Sequence, residues 1–248
     1  MSEEIRLNSS KLGTKEYWNQ FYQLEKNNFE SNDEDTGECW FDDSDAEAKM
    51  ISFIIEKLTD QEFPFQKSDI SFLDLGTGNG HLLFQLNEDL QEEYDGEESF
   101  NFTGIDYSPD SVEFAEKIAH KKYEDTDFKF QQVDLLKKDD AFFSDAHIGK
   151  YDILLDKGTL DAIALNQDPI EEHDGKIGME VYASQVSKFM HKDSILLITS
   201  CNFTETELVR IFNENSDLIV WDKINYPSFQ FGGVKGSTVC SIAFILKQ

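Results

Sequence analysis

The sequence predicts an α/β fold in which a mostly parallel sheet carries helices on both faces. Short apolar runs of strand length alternate with amphipathic segments of helix length along the chain. The apolar run at residues 70–75 ends in three alternating glycines and then becomes a helical pattern, which indicates a buried parallel strand followed by a tight turn. Acids also end three successive predicted strands. One domain accommodates 248 residues, so no second independent core is expected.

Two helices are predicted before the glycines. Residues 15–24 carry five large apolar or aromatic side chains at helical spacing, and residues 46–58 show a second apolar face of the same period. Both faces are expected to pack on the core. We therefore expect an N-terminal helical extension at residues 1–60, packed on a single globular unit at residues 61–248. An extension that crosses the strand ends would close over a ligand bound there.

Gly76, Gly78 and Gly80 form the turn between the first strand and its helix. Glycine lets the backbone turn tightly and approach a ligand closely, and the helix start offers free N–H groups to that ligand. The glycines alternate, whereas dinucleotide sites use Gly-x-Gly-x-x-Gly, and Asp74 precedes them by two residues. Both features favour S-adenosylmethionine over NAD. An ordinary strand-to-helix turn is the alternative.

The second and third predicted strands, at residues 101–105 and 128–133, each end at an acid. Asp106 is placed to accept hydrogen bonds from two ribose hydroxyls, and Asp134 from an adenine amino group. Ligands of open α/β sheets bind beyond the carboxyl ends of the strands, so Asp74, Asp106 and Asp134 are expected to converge. The alternative for Asp106 and Asp134 is a role as loop-initiating caps.

The second half of the chain completes a seven-stranded plan with an antiparallel last strand. A helix is predicted at residues 179–190 and a flexible glycine-containing turn at residues 231–236. The four further strands are predicted at residues 151–155, 194–199, 218–221 and 237–246.

The charge of the chain is strongly negative, with 22 Lys and Arg against 50 Asp and Glu and a net charge of −28 with neutral histidines. Such a surface repels phosphate backbones, so nucleic acid is not expected as a partner. The same field attracts a basic partner and speeds its encounter. Solubility alone is the alternative explanation.

Two acidic runs contain no base, at residues 30–47 and 88–98. The second lengthens the connection between the glycines and the second strand. The first contains Trp40 and Phe41, whose aromatic rings need cover within a solvating segment. An adjacent cofactor pocket would supply that cover, and packing on the domain core is the alternative.

The cysteine pattern and the apolar runs limit other classes of protein. Cys39, Cys201 and Cys240 lie far apart without Cys-x-x-Cys spacing or a histidine cluster, so neither a disulfide framework nor a structural metal site is expected. No run approaches the roughly 20 apolar residues that span a bilayer, and the first residues lack a signal-peptide pattern. The expectation is a cytoplasmic monomer without a membrane partner.

Seven short segments, considered together, carry a resemblance to a known family. They lie at residues 12–18, 35–41, 73–80, 104–109, 156–159, 199–202 and 229–233. With them the chain resembles the seven-β-strand protein-lysine methyltransferases that modify translation elongation factor 1-alpha. The most specific motifs are Asp-Lys-Gly-Thr at residues 156–159, the Trp-Phe pair and the late Phe-Gly-Gly turn. The acidic insertion at residues 87–99 departs from the family pattern, so the family pattern does not define the surface that would contact the partner.

The resemblance implies a Rossmann-like class I methyltransferase fold with S-adenosylmethionine as the cofactor. It also implies methyl transfer to a lysine ε-amine of a basic protein, translation elongation factor 1-alpha. An N6-adenine or glutamine methyltransferase would carry an Asn/Asp-Pro-Pro-aromatic motif after the fourth strand, and this sequence has none there. Two alternatives stay open: a small-molecule methyltransferase of the same fold, and a non-catalytic acidic binder of a basic translation factor.

The motifs and the resemblance together assign the site residues. The catalytic candidates are Asp156, Asp161 and Asn202, with Glu38 as a further orienting acceptor. A carboxylate beside a cationic amine holds it protonated, so these acids are assigned positioning rather than general-base roles. For Asp161, a first-turn helix acid is the alternative; Lys157 contacts either the cofactor carboxylate or a backbone carbonyl. The cofactor-binding set is Trp40, Asp74, Gly76, Thr77, Gly78, Asn79, Gly80, Asp106, Tyr107, Asp134, Leu135 and Asp156.

Overall fold

The structure, a computed structural model, describes residues 5–41, 44–227, 229–231, 234–236 and 238–247. The strands in this part of the chain are β1 (Asp69–Leu75), β2 (Ser99–Asp106), β3 (Phe128–Gln132), β4 (Tyr151–Lys157), β5 (Met190–Ser200), β6 (Leu218–Ile224), β7 (Phe229–Phe231), β8 (Val234–Gly236) and β9 (Cys240–Leu246). The α-helices are α1 (Lys15–Ser31), α2 (Ala46–Thr59), α3 (His81–Glu93), α4 (Pro109–Lys122), α5 (Thr159–Ala164), α6 (Gly178–Val186) and α7 (Glu205–Asn215).

Seven of these strands form one sheet in the order β3-β2-β1-β4-β5-β9-β6. Strand β9 runs antiparallel to both of its neighbours, and the other neighbouring pairs are parallel. The strand order reverses between β1 and β4, which is where ligands of open α/β sheets bind. The sheet confirms the seven-stranded, mostly parallel plan with an antiparallel last strand. Strands β7 and β8 pair separately as a small hairpin.

Helices cover both faces of the sheet, as predicted. On one face, α2 and α3 enclose an apolar cluster in which Phe72 of β1 stacks on Phe102 of β2, with ring centroids 5.4 Å apart. On the other face, α5, α6 and α7 enclose a second cluster, where Phe212 stacks on Phe244 of β9 at 4.5 Å. Successive strand side chains point to opposite faces, so strands buried on both faces read as the continuous apolar runs seen in the sequence.

Parts of the secondary structure differ from the predictions. The helix predicted at residues 179–190 ends at Val186, a 3-10 turn follows at Ser187–Phe189, and β5 already begins at Met190. Met190 pairs with Tyr151 in the ladder between β4 and β5, so sheet pairing competes successfully with the helical pattern. The turn predicted at residues 231–236 contains β8. Its glycines 232 and 233, and residue 237 of the predicted last strand, lie outside the described residues.

The N-terminal segment packs across the strand ends. Helix α1 packs on α4, where the Lys26 ammonium lies 2.9 Å from the Asp110 carboxylate and 2.7 Å from that of Glu113. The backbone N–H of Ser10 donates to the Leu165 carbonyl at 3.1 Å, which fixes the chain before α1 beside the end of α5. Helix α2 shares its apolar cluster with the sheet. Among the described residues, none of the helices has the length and apolar character that crossing a bilayer requires.

Candidate active site

A cavity of about 510 Å³ lies at the carboxyl ends of β1, β2 and β4, a volume typical of small-molecule sites. We call it the main cavity. A small pocket of about 40 Å³ adjoins it at the glycine loop, residues 76–80. Four residues from four parts of the chain line both spaces, which makes them one continuous site; they are Tyr22, Trp40, Gly76 and Lys157.

The backbone of the glycine loop leaves no room for side chains on its glycines. Gly76, Gly78 and Gly80 have φ values of +71°, +59° and +82°, in the left-handed region that favours glycine. A Cβ atom at Gly76 would lie 2.1 Å from the Thr159 hydroxyl oxygen, and one at Gly78 would lie 2.5 Å from the Tyr22 hydroxyl. The loop therefore leaves its backbone uncovered where β1 meets the site.

Asp106 holds the glycine loop against the end of β2. Its carboxylate is buried and accepts hydrogen bonds from the backbone N–H groups of Gly78, at 3.1 Å, and Ser108, at 2.8 Å. The Ser111 hydroxyl donates to the Gly78 carbonyl at 2.6 Å. Burial raises the pKa of Asp106. Asp106 also lines the main cavity, and a carboxylate has further lone pairs for a ligand.

The small pocket contains a buried acid and a buried hydroxyl. Asp74 is buried, and burial raises its pKa to about 7. The Thr77 hydroxyl is buried beside it, and its hydrogen bond to the Asp74 carboxylate opposes that rise. The Asn79 amide nitrogen donates to the Thr36 carbonyl at 2.9 Å, so this side chain links the glycine loop to an N-terminal segment. All three residues line the small pocket.

The end of β3 supplies the far wall of the main cavity. Asp134 is half-buried and accepts a hydrogen bond from the Leu136 backbone N–H at 3.1 Å. Leu135 is buried beside it and presents an apolar surface. Tyr107 lines the same cavity from the end of β2, with the Lys15 ammonium 5.4 Å from its ring centroid. Burial raises the pKa of the Tyr107 hydroxyl.

Residues 35–41, which we call the strap, cross the site between α1 and α2. The Trp40 ring packs edge-on against that of Trp18, with centroids 5.3 Å apart, and its indole nitrogen is buried without a partner. Phe41 has a φ of +70°, an outlier for a bulky residue, and would be only 2.6 Å from a Cβ atom at Gly158. Trp40 packs on α1, and both rings line the main cavity. That a cofactor covers these rings stays a prediction.

Asp156 lies beneath the site rather than in it. Its fully buried carboxylate accepts hydrogen bonds from the backbone N–H groups of Thr159, at 2.7 Å, and Leu160, at 3.2 Å, and from the Tyr182 hydroxyl. Burial raises the pKa of Asp156 to about 7. Asp156 lines neither the main cavity nor the small pocket. Its carboxylate instead positions the start of α5.

Asp161 and Asn202 meet at the wall of the main cavity. The Asp161 carboxylate accepts hydrogen bonds from the Ser200 hydroxyl and from the Cys201 backbone N–H, the latter at 2.8 Å, and burial raises its pKa. The Asn202 amide nitrogen donates to the Asp161 carbonyl at 3.4 Å. These contacts join α5 to the end of β5. Glu38 lines the small pocket instead.

The structure thus brings most of the predicted residues to one site. Of the predicted set, Gly80 and Asp156 lie outside the lining of both spaces. Lys157 donates to the Trp40 carbonyl at 2.9 Å, so of its two predicted roles the structure shows the backbone contact.

Several lining residues were missed by sequence reasoning. Trp18 and Tyr22 have helical spacing that indicated only a core face, although residues 12–18 carried part of the family resemblance. Lining residues between α5 and α6, such as Asn166, Ile170 and Glu172, had no signal, because they belong to a connection with only a short 3-10 turn and an isolated bridge, and without a motif.

The strand order, the glycine loop and the acids at the strand ends define a class I methyltransferase fold. A TehB-like S-adenosylmethionine-dependent methyltransferase from Corynebacterium glutamicum superposes with a TM-score of 0.55 at 13% identity, covering 92% of this chain and 98% of that one. The magnesium protoporphyrin IX methyltransferase of Synechocystis with bound SAH gives a TM-score of 0.51 at 14% identity, covering 91% and 99%. At such identities the likeness shows the fold alone.

Sequence comparison identifies the family. Residues 66–233 match the family model described as "Methyltransferase domain". Protein-lysine N-methyltransferase EFM4 of Saccharomyces cerevisiae is 49% identical over 240 residues, 96% of this chain and 96% of that protein. EEF1A lysine methyltransferase 2 of Homo sapiens is 33% identical over 235 residues, 95% of this chain and 86% of that protein. The chain belongs to this family of protein-lysine methyltransferases, which confirms the resemblance found in the sequence.

A glycine substitution tests whether close contacts, and not only the left-handed backbone, require glycine in the loop. Gly76→Ala is expected to lower the free energy of unfolding by about 2 to 4 kcal/mol, because left-handed strain adds to overpacking against Thr159. Gly175 is the matched control: its φ is +78°, and a Cβ atom there would meet nothing within 4 Å. Gly175→Ala should cost only about 1 kcal/mol. Denaturant unfolding measures both, and equal losses would contradict the packing described for the loop.

Proposed function

We propose that this protein transfers methyl groups from S-adenosylmethionine to a lysine ε-amine of translation elongation factor 1-alpha. The observation that carries the proposal is the continuity of the small pocket with the main cavity, in a chain of the protein-lysine methyltransferase family. Such a site has room for a cofactor at the glycine loop and for a second reactant beside it. The proposed identity of the substrate rests on the relatives named EEF1A lysine methyltransferase 2.

The residues around the glycine loop fit S-adenosylmethionine. The loop is a cradle that a Cβ atom would fill, and the buried indole nitrogen of Trp40, which lines both spaces, has no protein partner. Asp106 would hold the ribose hydroxyls and Asp134 the adenine amino group, with the ring between Tyr107 and Leu135. The methionine end would lie in the small pocket by Asp74, lined by the rest of the set: Trp40, Gly76, Thr77, Gly78 and Asn79. When bound, the cofactor supplies a methyl group on a sulfonium.

The chain's own task is to align a neutral amine with that methyl group. A free lysine has a pKa of about 10.4, so the amine must lose a proton before it reacts. We assign Asp161 and Asn202 to orient the amine, because both line the main cavity. The Asp161 carboxylate already accepts two hydrogen bonds, which fixes its direction. Asp156 acts indirectly, because its carboxylate positions the helix that carries Asp161.

The surface charge favours the proposed partner over other classes. With a net charge of −28, the chain attracts a basic protein and repels nucleic acid. A translation factor as substrate places the reaction in the cytoplasm. The monomeric state and the division of the chain at residue 60 remain predictions.

The direct test incubates the purified protein with labelled S-adenosylmethionine and purified elongation factor 1-alpha, followed by tandem mass spectrometry. The expected result is methyl-lysine on the factor. Asp161→Ala should lower kcat more than it changes cofactor affinity, because Asp161 lines the main cavity, where the acceptor amine would bind. If the protein binds the cofactor but labels free amines and not the factor, the small-molecule alternative replaces this proposal. If it binds the factor without methylating it, the non-catalytic alternative replaces it.

Asp106 gives a prediction for cofactor affinity. Asp106→Asn is expected to weaken binding of S-adenosylhomocysteine by about 10- to 150-fold, which corresponds to about 1.5 to 3 kcal/mol for hydrogen bonds to a charged group. Titration calorimetry measures the change, and circular dichroism checks the fold. The control is Asp127→Asn, since the Asp127 side chain is exposed and lies before β3. Unchanged affinity in a folded Asp106→Asn variant would remove the ribose assignment.

The raised pKa of Asp74 predicts that cofactor binding depends on pH. This pKa is about 7 in the cofactor-free protein, and a cationic amine bound beside Asp74 would favour the ionised form and lower that pKa. Binding of S-adenosylhomocysteine should therefore release a proton near pH 6.5, and affinity should fall as the pH drops below 7. Calorimetry in buffers of different ionisation enthalpy measures the proton. Asp74→Asn should abolish the release, and a wild-type protein that releases none would contradict the placement.

A further inference from the structure

Glu47 is a buried acid that contacts three separate parts of the chain. It lies in the first turn of α2 and is 8% exposed. One carboxylate oxygen lies 2.7 Å from the His81 ring nitrogen Nδ1. The other lies 3.2 Å from the Lys157 ammonium and 3.5 Å from the Cys39 sulfur. A side chain so placed connects the strap, the start of α3 and the end of β4.

Two of these partners, Lys157 and His81, line the small pocket, and Cys39 lies between two strap residues that do, Glu38 and Trp40. Lys157 also donates to the carbonyl of Trp40, the strap residue that lines both spaces of the site. His81 follows the last glycine of the loop and lines the small pocket with Glu38 and Lys157. Glu47 therefore lies behind the pocket wall and holds the side chains that form it.

The charges explain why an acid is needed at this position. The neighbouring Cys39 sulfur and the Glu47 carboxylate raise the pKa of His81 to about 10, so the ring is cationic at neutral pH. Two cations, His81 and Lys157, share one carboxylate. Removing that carboxylate would leave His81 with only the Cys39 sulfur and Lys157 with only the charge of Asp74, and an incompletely paired cation in a largely buried place is unfavourable.

A metal site is the competing interpretation of the same cluster. Among the described residues, Cys39, Glu47 and His81 form the one group whose ligand atoms, all within 4.8 Å of one another, could hold an ion. Two ligands bound to one tetrahedral zinc ion at about 2.0 Å lie about 3.3 Å apart. The Glu47 and His81 atoms are closer, at 2.7 Å, and a lysine ammonium already contacts the carboxylate. The geometry is that of an ion-pair cluster.

We propose that Glu47 is a positioning residue that holds the strap over the small pocket through Lys157 and His81. By fixing Trp40, and with it Phe41, it sets the wall along which the cofactor and the acceptor amine lie. The inference rests on the proposed function for its role in methyl transfer. Its effect on the strap and on cofactor binding is measured separately from methylation.

The test compares E47Q with the wild-type full chain by two measurements that need no protein substrate. Calorimetry with S-adenosylhomocysteine should show at least about fivefold weaker binding for E47Q, the lower end of typical coupling between sites. Hydrogen exchange followed by mass spectrometry should show faster exchange in residues 35–41, with β1 and β4 unchanged. A merely structural role would accelerate exchange in the strands as well. H81Q is an independent second variant, because it removes one contact and keeps the ion pair with Lys157.

E113Q is the matched control. Glu113 also contacts two lysines, Lys26 at 2.7 Å and Lys117 at 3.1 Å, but its side chain is half-exposed where α1 meets α4 and lines neither the main cavity nor the small pocket. It should leave both measurements unchanged. Wild-type affinity and strap exchange in E47Q and H81Q would overturn the inference and leave the proposed function standing. Stoichiometric metal bound in the purified wild-type protein, lost in H81Q, would also overturn it. Failure of the wild-type protein to bind S-adenosylhomocysteine would instead contradict the proposed function.

Discussion

The buried carboxylate of Asp106 is the constraint on which the site depends. By accepting hydrogen bonds from Gly78 and Ser108, it fixes the glycine loop at the end of β1 to the start of α4 at the end of β2. The loop backbone then lies so close to Thr159 and Tyr22 that only glycine fits. Helices α1 and α5 carry these contacts, so both pack against the same loop.

Buried acids whose directions are fixed by hydrogen bonds and ion pairs hold the elements around the site together. Asp156 positions α5, Asp161 joins α5 to the end of β5, and Glu47 connects the strap to Lys157 and His81. None of these acids is free in solvent. This arrangement suits a displacement reaction, in which alignment of the reactants contributes more than covalent chemistry by the protein.

The sequence predicts the sheet, and it predicts which residues the glycine loop and the strand ends bring to the cavity, because both depend on local patterns. Apolar runs mark buried strands, and glycines and acids mark their ends. It fails where tertiary contacts decide. Met190 continues the apolar pattern of α6 but pairs with β4, and Asp156 has the position of a catalytic acid while its carboxylate turns to the backbone of α5. The Glu47 cluster joins residues up to 118 positions apart, as in the contact of Lys157 with Cys39, and no motif marks it.

The most direct measurement is a crystal structure of the protein with S-adenosylhomocysteine. The account predicts ribose hydroxyls within hydrogen-bond distance of Asp106 and the methionine end in the small pocket, between Asp74 and Lys157 and beneath the strap. A ligand whose ribose lies away from Asp106, or whose methionine end lies outside the small pocket, would contradict the account.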